Sequence, residues 1–340
     1  MSSEAPPWGN QLLIEDIRRT IERAGGRIPF RDYMDLALYH PRFGYYCAPG
    51  EKTGRGGDYL TSPYLSPLFG QCLARWIVSG PVLEMGAGDG ALAAELSQRF
   101  PYTIVERSPN FQARQQARLG TSVTWLPEFP SHFEGTVISN ELLDALPVHR
   151  LVQDQERYVT WPEPGNPCPF GEELGPYSTS RLDDYFDRLG LRPAGEAEVN
   201  LDARALMETV YQRLTRGRVL TVDYGYEAAE LFLGHPQGTF LTYFRHAAND
   251  DPYEHVGLKD MTSHIDFTSL IALGESYGLR TVAFTTQADF LSANSIGELL
   301  LQAQRDAADP STYVAVRQAA IVLLDPAGMG GFRVLVQQKD

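Results

Sequence analysis

Three glycines that follow a short apolar strand are the residues of this 340-residue chain whose spacing best fits the chemistry of binding a nucleotide. The segment VLEMGAGDG, residues 82–90, contains Gly86, Gly88 and Gly90. Glycines at such a bend let the backbone turn sharply and come close to a ligand. A helix predicted to begin near Asp89 would offer unpaired N–H groups to that ligand. The segment therefore predicts a site for a nucleotide-containing cofactor.

An acidic side chain lies twenty residues after the first of these glycines, at the end of the next predicted strand. That strand, YTIV, is followed by Glu106, whose carboxylate suits the two hydroxyls of a ribose. The bend also fits the dinucleotide pattern G-x-G-x-x-A, with Ala91 in the sixth place, so the glycines leave both NAD and S-adenosylmethionine (SAM) open. A tight strand-to-helix turn without a ligand is the alternative, and the position of Glu106 argues against it.

Three features favour SAM over NAD. Glu84 lies two residues before the first glycine, where a carboxylate would repel a pyrophosphate and could help to hold an ammonium group. The fourth predicted strand runs into ISNELLDALP, which brings Asn140, Glu141 and Asp144 to the mouth of the cleft. The glycine bend lies some eighty residues into the chain, and no complete second mononucleotide-binding half is visible.

Composition and charge argue against several classes of protein. Lys and Arg number 29 against 43 Asp and Glu, a net charge of −14, which would repel a nucleic acid backbone and favour a cationic substrate. Cys47, Cys72 and Cys168 lie far apart without metal-ligand spacing, so we expect neither a metal site nor disulfides. No signal segment or membrane-spanning run is apparent, so the sequence predicts a cytoplasmic location without a membrane partner.

Strands and helices alternate along the centre of the chain, which predicts an α/β fold with a parallel sheet and helices on both faces. The predicted strands are 82–85, 102–106, 122–126, 136–139 and 218–225, and the predicted helices between them are 89–99, 109–119 and 141–145. Because ligands of such sheets bind at the carboxyl ends of the strands, Glu84, Glu106 and Asn140 should lie close together.

We predict two domains. Residues 1–75 would form a helical N-terminal cover with a lid loop, and residues 76–340 the main domain. Between about residues 147 and 217 the alternation lapses into a hairpin-like pair, a stretch rich in Pro and Gly, and two polar helices. We interpret this segment as an insertion that covers the site.

Eight blocks of the sequence resemble the MidA-type SAM-dependent methyltransferases, in the same order and over nearly the whole chain. The blocks are IPFRDYMDLALYHPRFGYY, GGDYLTSPYLSPLFGQ, VLEMGAGDG, VERSPNFQARQ, SNELLDALPVHR, VLTVDYGY, GTFLTYFRHAANDDP and MTSHIDFTSL. That family includes a mitochondrial complex I assembly factor that methylates a protein arginine. The resemblance implies a Rossmann-like methyltransferase sheet and SAM as cofactor. The chain departs from the usual family pattern at Tyr64, at Ser66–Pro67 and at Asp89, all beside the predicted pocket.

The arginine acceptor that the resemblance implies is protonated at neutral pH, so carboxylates must orient its guanidinium and let a proton leave. Glu141 is our candidate for guanidinium binding, and Asp144, at i+3 in the predicted helix, for a second anion or loop anchor. The alternative is that both residues merely suit a helix start. Asp223 is a further candidate, although a turn-forming role suits it nearly as well.

His264 is the candidate proton acceptor, because Asp266 would face the same way in an extended segment and could orient it. An ordinary loop hydrogen bond is the alternative for this histidine, as for His246. A lid over the cofactor is predicted from two segments, Gly56-Gly57-Asp58 and Thr61-Ser62-Pro63. Within them, Gly57, Asp58 and Thr61 are the candidate cofactor contacts.

The sequence therefore predicts a SAM-dependent methyltransferase acting on a protein side chain, with arginine as the acceptor that the resemblance favours. A protein substrate is the expected partner, and a homodimer is possible. An NAD-linked oxidoreductase is one rival interpretation. A non-catalytic assembly factor that keeps the methyltransferase fold is the other.

Overall fold

The structure is a computed structural model that describes residues 8–52, 54, 57–58, 60–162 and 168–340. Its helices are α1 (Gln11–Arg23), α2 (Phe30–Tyr39), α3 (Ser62–Leu65), α4 (Pro67–Ile77), α5 (Ala91–Leu96), α6 (Pro109–Leu119), α7 (Arg181–Leu189), α8 (Leu201–Arg213), α9 (Ala228–Gly234), α10 (Phe267–Ser276), α11 (Gln287–Ala293), α12 (Ile296–Asp306) and α13 (Pro310–Leu324). None of the helices in this described part is long and apolar enough to cross a membrane.

The strands follow the same chain order. They are β1 (Arg27–Pro29), β2 (Val82–Met85), β3 (Tyr102–Val105), β4 (Thr124–Leu126), β5 (Phe133–Asn140), β6 (His149–Val152), β7 (Gln155–Thr160), β8 (Gly171–Gly175), β9 (Glu196–Val199), β10 (Leu214–Asp223), β11 (Gly225–Tyr226), β12 (Leu241–Phe244), β13 (Ala247–Asn249), β14 (Asp260–Thr262), β15 (Ile265–Asp266), β16 (Arg280–Thr286) and β17 (Arg333–Lys339).

The chain divides into two compact units, each taken here over its described residues. Unit 1 comprises Met1–Gly50, Asp144–Leu206 and Gly225–Ser269. Unit 2 comprises Glu51–Leu143, Met207–Tyr224 and Leu270–Asp340. The predicted lid loop thus groups with the glycine bend, and the roles of cover and insertion drawn from the sequence stay predictions.

Unit 2 contains a seven-stranded sheet in the order β16-β17-β10-β5-β2-β3-β4, counted over the described residues. The five strands from β10 to β4 pair in parallel, and β17 runs antiparallel between β10 and β16. The predicted α/β class with its Rossmann-like sheet is confirmed. The antiparallel direction of β17 was not predicted, because an apolar strand pattern carries no information about direction.

The core of unit 2 explains why these segments fold as they do. The central strand β2 is buried along its whole length, and α4 packs against α5. Apolar residues of both helices and of the strands form one buried cluster, which includes Phe69, Leu73, Leu92, Ile104 and Val222. The carboxyl ends of the parallel strands are thereby held at a common edge.

Unit 1 contains a five-stranded antiparallel sheet in which β1, β7, β6 and β9 are neighbours and β8 pairs with β7. The predicted hairpin-like pair corresponds to β6 and β7. A separate buried cluster supports this sheet and includes Leu151, Phe186, Val199 and Phe232. The short strands β1, β8 and β9 were not predicted, since runs of three to five residues carry too little periodicity.

Two predicted helices at the site need correction. The predicted helix 141–145 is absent, because Glu141 takes a left-handed backbone with φ of 47° and the following residues form bends and turns. Glu141 and Asp144 therefore do not share one face of a helix, and this prediction is wrong. The helix after the glycine bend is also shorter than predicted and begins at Ala91, after Gly90 in a left-handed conformation.

Candidate functional site

The glycine bend follows β2 as predicted, with all three glycines at positive φ: Gly86 at 63°, Gly88 at 53° and Gly90 at 84°. The Gly86 N–H donates to the carbonyl of Val105 at 2.9 Å, which ties the bend to β3. A Cβ atom on Gly86 would lie 2.5 Å from Leu142 Cδ1, whereas one on Gly88 would meet nothing within 4 Å. Gly86 is thus required for packing, and the backbone at Gly88 borders open space in which a ligand can approach.

Glu84 is buried beneath this bend, with 3% of its surface exposed. The hydroxyl of Tyr102 donates to Glu84 Oε2 at 2.8 Å. Burial raises the pKa of the Glu84 carboxyl to about 8, against the lowering effect of the Tyr102 hydrogen bond. A buried carboxyl of this kind gains from a cationic partner, because an adjacent positive charge favours its ionised form.

Glu106 is buried at the end of β3, as predicted for a ribose-binding carboxylate. Its Oε1 accepts from the Ser108 N–H at 2.8 Å, and its Oε2 accepts from Gln115 Nε2 at 3.0 Å. Burial raises the pKa of Glu106 to about 7, while these hydrogen bonds oppose the shift. The side chain is therefore held in one orientation.

Asn140 ends β5 on the same face of the sheet as Glu84. The register pairs Glu84 with Ile138, and Asn140 lies two residues further along β5, so both side chains project to one side. Asn140 Nδ2 donates to Glu141 Oε1 at 3.1 Å. Its buried Oδ1 accepts no hydrogen bond from any residue that the structure describes. A buried acceptor of this kind calls for a donor from a ligand or from water.

Glu141 lies directly after this asparagine and contacts the end of the predicted lid. Its Oε1 accepts from the Ser62 N–H at 2.8 Å, and its own N–H donates to the carbonyl of Val222 at 2.8 Å. The Ser62 hydroxyl donates to Gln287 Oε1 at 3.0 Å. Glu141 thus joins the segment after Thr61 to the carboxyl edge of the sheet.

The rest of the predicted lid is described only in part, and Gly56 lies outside the described residues. Gly57 donates its N–H to the carbonyl of Gly54 at 3.1 Å, and Asp58 donates its N–H to the carbonyl of Lys52 at 2.9 Å. These backbone hydrogen bonds give the segment local turns. The role of Gly57, Asp58 and Thr61 in binding a cofactor stays a prediction.

Asp223 ends β10 and is fully buried in unit 2. Its Oδ2 accepts from the Leu143 N–H and its Oδ1 from the Tyr224 N–H, both at 3.0 Å. The predicted alternative of a turn-forming aspartate fits these contacts. Through Leu143, the same carboxylate also anchors the loop that follows β5.

Asp144 belongs to unit 1, where it accepts from the Thr262 hydroxyl at 2.8 Å through Oδ2. Its carbonyl accepts from the Ser263 N–H at 3.1 Å. Asp144 is buried, with 6% of its surface exposed. Of the two roles predicted for Asp144, a second anion or a loop anchor, these contacts fit the loop anchor.

His264 also belongs to unit 1, beside the rings of Tyr226 at 5.2 Å and His235 at 6.2 Å. Burial lowers the pKa of His264 to about 4, with His235 adding to the effect. The ring is therefore neutral at physiological pH and a weaker base than the sequence suggested. The predicted partner Asp266 instead accepts from the Tyr185 hydroxyl at 2.5 Å and from the Ser269 N–H at 3.2 Å.

Sequence reasoning missed Tyr102 and Gln115, which donate to the buried carboxylates of Glu84 and Glu106, and Trp125, which donates to Gln115. Gln115 Nε2 donates to both Gly88 O and Glu106 Oε2, and Gln115 Oε1 accepts from Trp125 Nε1. The sequence of α6 does contain a pattern from which Gln115 could have been predicted. Phe111 and Leu119 are four residues on either side of Gln115, so a polar residue interrupts the buried stripe of that helix.

The departure from the family pattern at Asp89 is compensated by a neighbour. Asp89 is buried, and its carboxylate pairs with the guanidinium of Arg118 in α6 at 3.1 Å. This ion pair adds a second connection between the glycine bend and α6, beside that of Gln115.

Comparisons with known proteins agree with this geometry. A family model described as putative S-adenosyl-L-methionine-dependent methyltransferase matches residues 71–285. A crystal structure of a COG1565 superfamily member and likely methyl transferase from Burkholderia thailandensis, bound to S-adenosyl-homocysteine, is 32% identical with a TM-score of 0.89. That match covers 99% of this chain and 95% of the other.

Curated relatives carry names that state an activity. The Drosophila melanogaster mitochondrial protein arginine methyltransferase NDUFAF7 homolog is 26% identical over 95% of this chain and 83% of its own length. The Homo sapiens mitochondrial protein arginine methyltransferase NDUFAF7 is 24% identical over 91% of this chain and 79% of its own length. The family match and the solved neighbour select SAM over NAD as the cofactor. This chain belongs to the family of putative SAM-dependent methyltransferases.

Proposed function

We propose that this protein transfers a methyl group from SAM to an arginine side chain of a protein substrate. The observation that carries the choice of acceptor is the similarity, over 95% of this chain, to a relative named as a protein arginine methyltransferase. The net charge of −14 supports it, because an acidic protein attracts a cationic acceptor.

The residues at the carboxyl edge of unit 2 fit the chemical groups of SAM. Glu84 and the buried Oδ1 of Asn140 suit the ammonium of the methionine moiety, since both are acceptors on one face of the sheet. Glu106 suits the ribose hydroxyls, and the open space at Gly88 lets the backbone approach the cofactor. Gly57, Asp58 and Thr61 are proposed to cover it.

When bound, SAM supplies a methyl group on a positively charged sulfur, and the protein's task is to align the acceptor and exclude water. We assign the guanidinium to Glu141, because this carboxylate directly follows Asn140 at the same edge of the sheet. Glu141 would localise the guanidinium charge and accept the proton that leaves as the new bond forms.

The other candidate residues take supporting roles in this proposal. Asp223 holds the backbone of the loop that carries Glu141, through the Leu143 N–H. Within unit 1, Asp144 anchors its own segment at Thr262, and the role of His264 as a proton acceptor stays a prediction from the sequence. A protein partner follows from the acceptor, whereas the homodimer, the lack of nucleic acid binding and the cytoplasmic location stay predictions from the sequence.

The test is to incubate the protein with SAM labelled in the methyl group and a lysate of its source organism, and to identify the labelled residue by mass spectrometry. We expect label in methylarginine of a protein. Label in a small molecule, in nucleic acid or in another amino acid would contradict the proposed acceptor. Binding of S-adenosylhomocysteine without any transfer would instead favour the non-catalytic assembly factor.

The matched variant is Glu141→Ala. If Glu141 binds the acceptor, this variant keeps its affinity for S-adenosylhomocysteine in calorimetry and loses most of the labelling. Retention of full labelling would remove Glu141 from the mechanism while leaving the cofactor assignment intact.

A further inference from the structure

Gln115 is fully buried in α6, and each polar atom of its amide has a partner in unit 2. Nε2 donates to Gly88 O at 2.8 Å and to Glu106 Oε2 at 3.0 Å. Oε1 accepts from Trp125 Nε1 at 3.0 Å. Because an indole N–H can only donate, Trp125 fixes which end of the amide is the oxygen and so directs both N–H groups.

We propose that Gln115 is a positioning residue that holds the glycine bend and the Glu106 carboxylate in one geometry and so sets how well the protein discriminates ribose hydroxyls. The inference rests on the proposed function, in which Glu106 binds the ribose. Nothing in the chemistry of glutamine lets it react with SAM, so its effect acts through the two groups that it holds.

The geometry at Glu106 shows how this works. Ser108 fixes one carboxylate oxygen and Gln115 the other, which leaves the carboxylate plane no freedom to rotate. The Arg107 N–H also donates to this carboxylate, whose two oxygens have about four acceptor sites, so capacity remains for a ribose hydroxyl. Fixed acceptors bind hydroxyls more tightly than mobile ones, because no side-chain entropy is lost when the ligand arrives.

Gln115 also holds the backbone of the glycine bend at Gly88. The Gly88 peptide has open space on its Cα, and its carbonyl is held by the same Gln115 nitrogen that reaches Glu106. A displacement of the bend would therefore also move the donor to the ribose carboxylate. One side chain thus sets the distance between two parts of the cofactor site.

The experiment measures dissociation constants for S-adenosylhomocysteine and for its 2′,3′-dideoxy analogue, which lacks both ribose hydroxyls. Gln115→Met keeps the approximate volume and removes all three hydrogen bonds. We expect it to weaken binding of S-adenosylhomocysteine about tenfold more than binding of the analogue, because both ligands depend on the glycine bend but only the first uses Glu106. The ratio of the analogue's dissociation constant to that of S-adenosylhomocysteine should therefore fall toward one.

Gln112→Met is the matched control. Gln112 lies on the same helix and donates to the backbone carbonyl of Glu106 at 2.8 Å, not to its carboxylate. We expect this control to keep the wild-type ratio. An equal loss of affinity for both ligands in Gln115→Met, with the ratio preserved, would show a merely structural role and overturn the proposal.

Two further variants separate the possible failures. If Glu106→Ala keeps the wild-type ratio, the ribose assignment of the proposed function is wrong, and the inference falls with it. If Glu106→Ala brings the ratio to about one and Gln115→Met keeps the wild-type ratio, only the inference about Gln115 is wrong. Should Gln115→Met fail to fold, Trp125→Phe frees the amide to flip and is expected to lower the ratio. A wild-type ratio in that variant would overturn the positioning role.

Discussion

Glu84→Gln should stabilise the ligand-free protein and at the same time weaken its binding of S-adenosylhomocysteine. In the free protein this carboxyl is 3% exposed, and its hydrogen-bond partner is the Tyr102 hydroxyl. A glutamine offers that hydroxyl an equivalent oxygen and carries no charge to bury. The two effects are opposite because Glu84 destabilises the ligand-free protein and, in the proposed site, binds the ammonium of the cofactor.

The magnitude follows from the pKa of Glu84, which burial raises from 4.5 to about 8. A carboxyl with a raised folded-state pKa holds its proton more tightly when folded, so its cost to stability grows as the pH rises from about 4.5 through about 8. Linkage gives a cost of about 3 kcal/mol at pH 7 and under ~1 kcal/mol at pH 5. Glu84→Gln should therefore gain stability mainly above pH 6.

The assay is urea unfolding of wild type and variant at pH 5, 7 and 8.5, together with calorimetry against S-adenosylhomocysteine. Glu198→Gln is the control, because Glu198 is also buried with a raised pKa but lies in unit 1 beside Thr239. The control should keep its affinity for the ligand. Wild-type affinity in Glu84→Gln would show that Glu84 does not bind the cofactor, and a stability change that does not grow with pH would show that its carboxyl is not destabilised by burial.

Three further predictions follow from the same site. Wild-type affinity for S-adenosylhomocysteine should rise between pH 6 and pH 8.5 in calorimetry, because Glu84 and Glu106, with pKa values of about 8 and about 7, must lose protons to act as anionic acceptors; an affinity that falls with pH would contradict this. Gly86→Ala should lower the free energy of unfolding by about 1–3 kcal/mol, because the φ of Gly86 is 63° and the added carbon would lie 2.5 Å from Leu142 Cδ1. Unchanged midpoints in urea unfolding would show that the bend relaxes without cost. Asp223→Asn should reduce methyl transfer more than cofactor affinity, since it disturbs the loop that carries Glu141; equal losses in the two assays would argue against that separation.

The sequence was sufficient to predict the parallel part of the central sheet and the strand ends near which Glu84 and Glu106 lie. Alternating apolar segments and glycines placed Glu84 and Glu106 at strand ends, and the register of β2, β3 and β5 brings their strands together as expected. These features depend on local periodicity and on the general topology of parallel sheets, which a single sequence carries.

The surroundings of the candidate residues Glu141 and Asp266 were harder to predict, because they depend on backbone conformation and on long-range contacts. Glu141 adopts positive φ where a helix was expected, and its carboxylate contacts Ser62, which is 79 residues away in the sequence. Asp266 contacts Tyr185, 81 residues away, in place of the neighbouring His264. Contacts between residues so far apart cannot be predicted from local sequence spacing. Gln115 is different, because a polar residue in the buried stripe of α6 is visible in the sequence.

A crystal structure of this protein with S-adenosylhomocysteine would show directly how the cofactor is held. We expect the ligand's ammonium between Glu84 and Asn140 Oδ1, its ribose hydroxyls on Glu106, and its chain passing over Gly88. A sugar that lies away from Glu106, or an ammonium that contacts neither Glu84 nor Asn140, would contradict the proposed cofactor site.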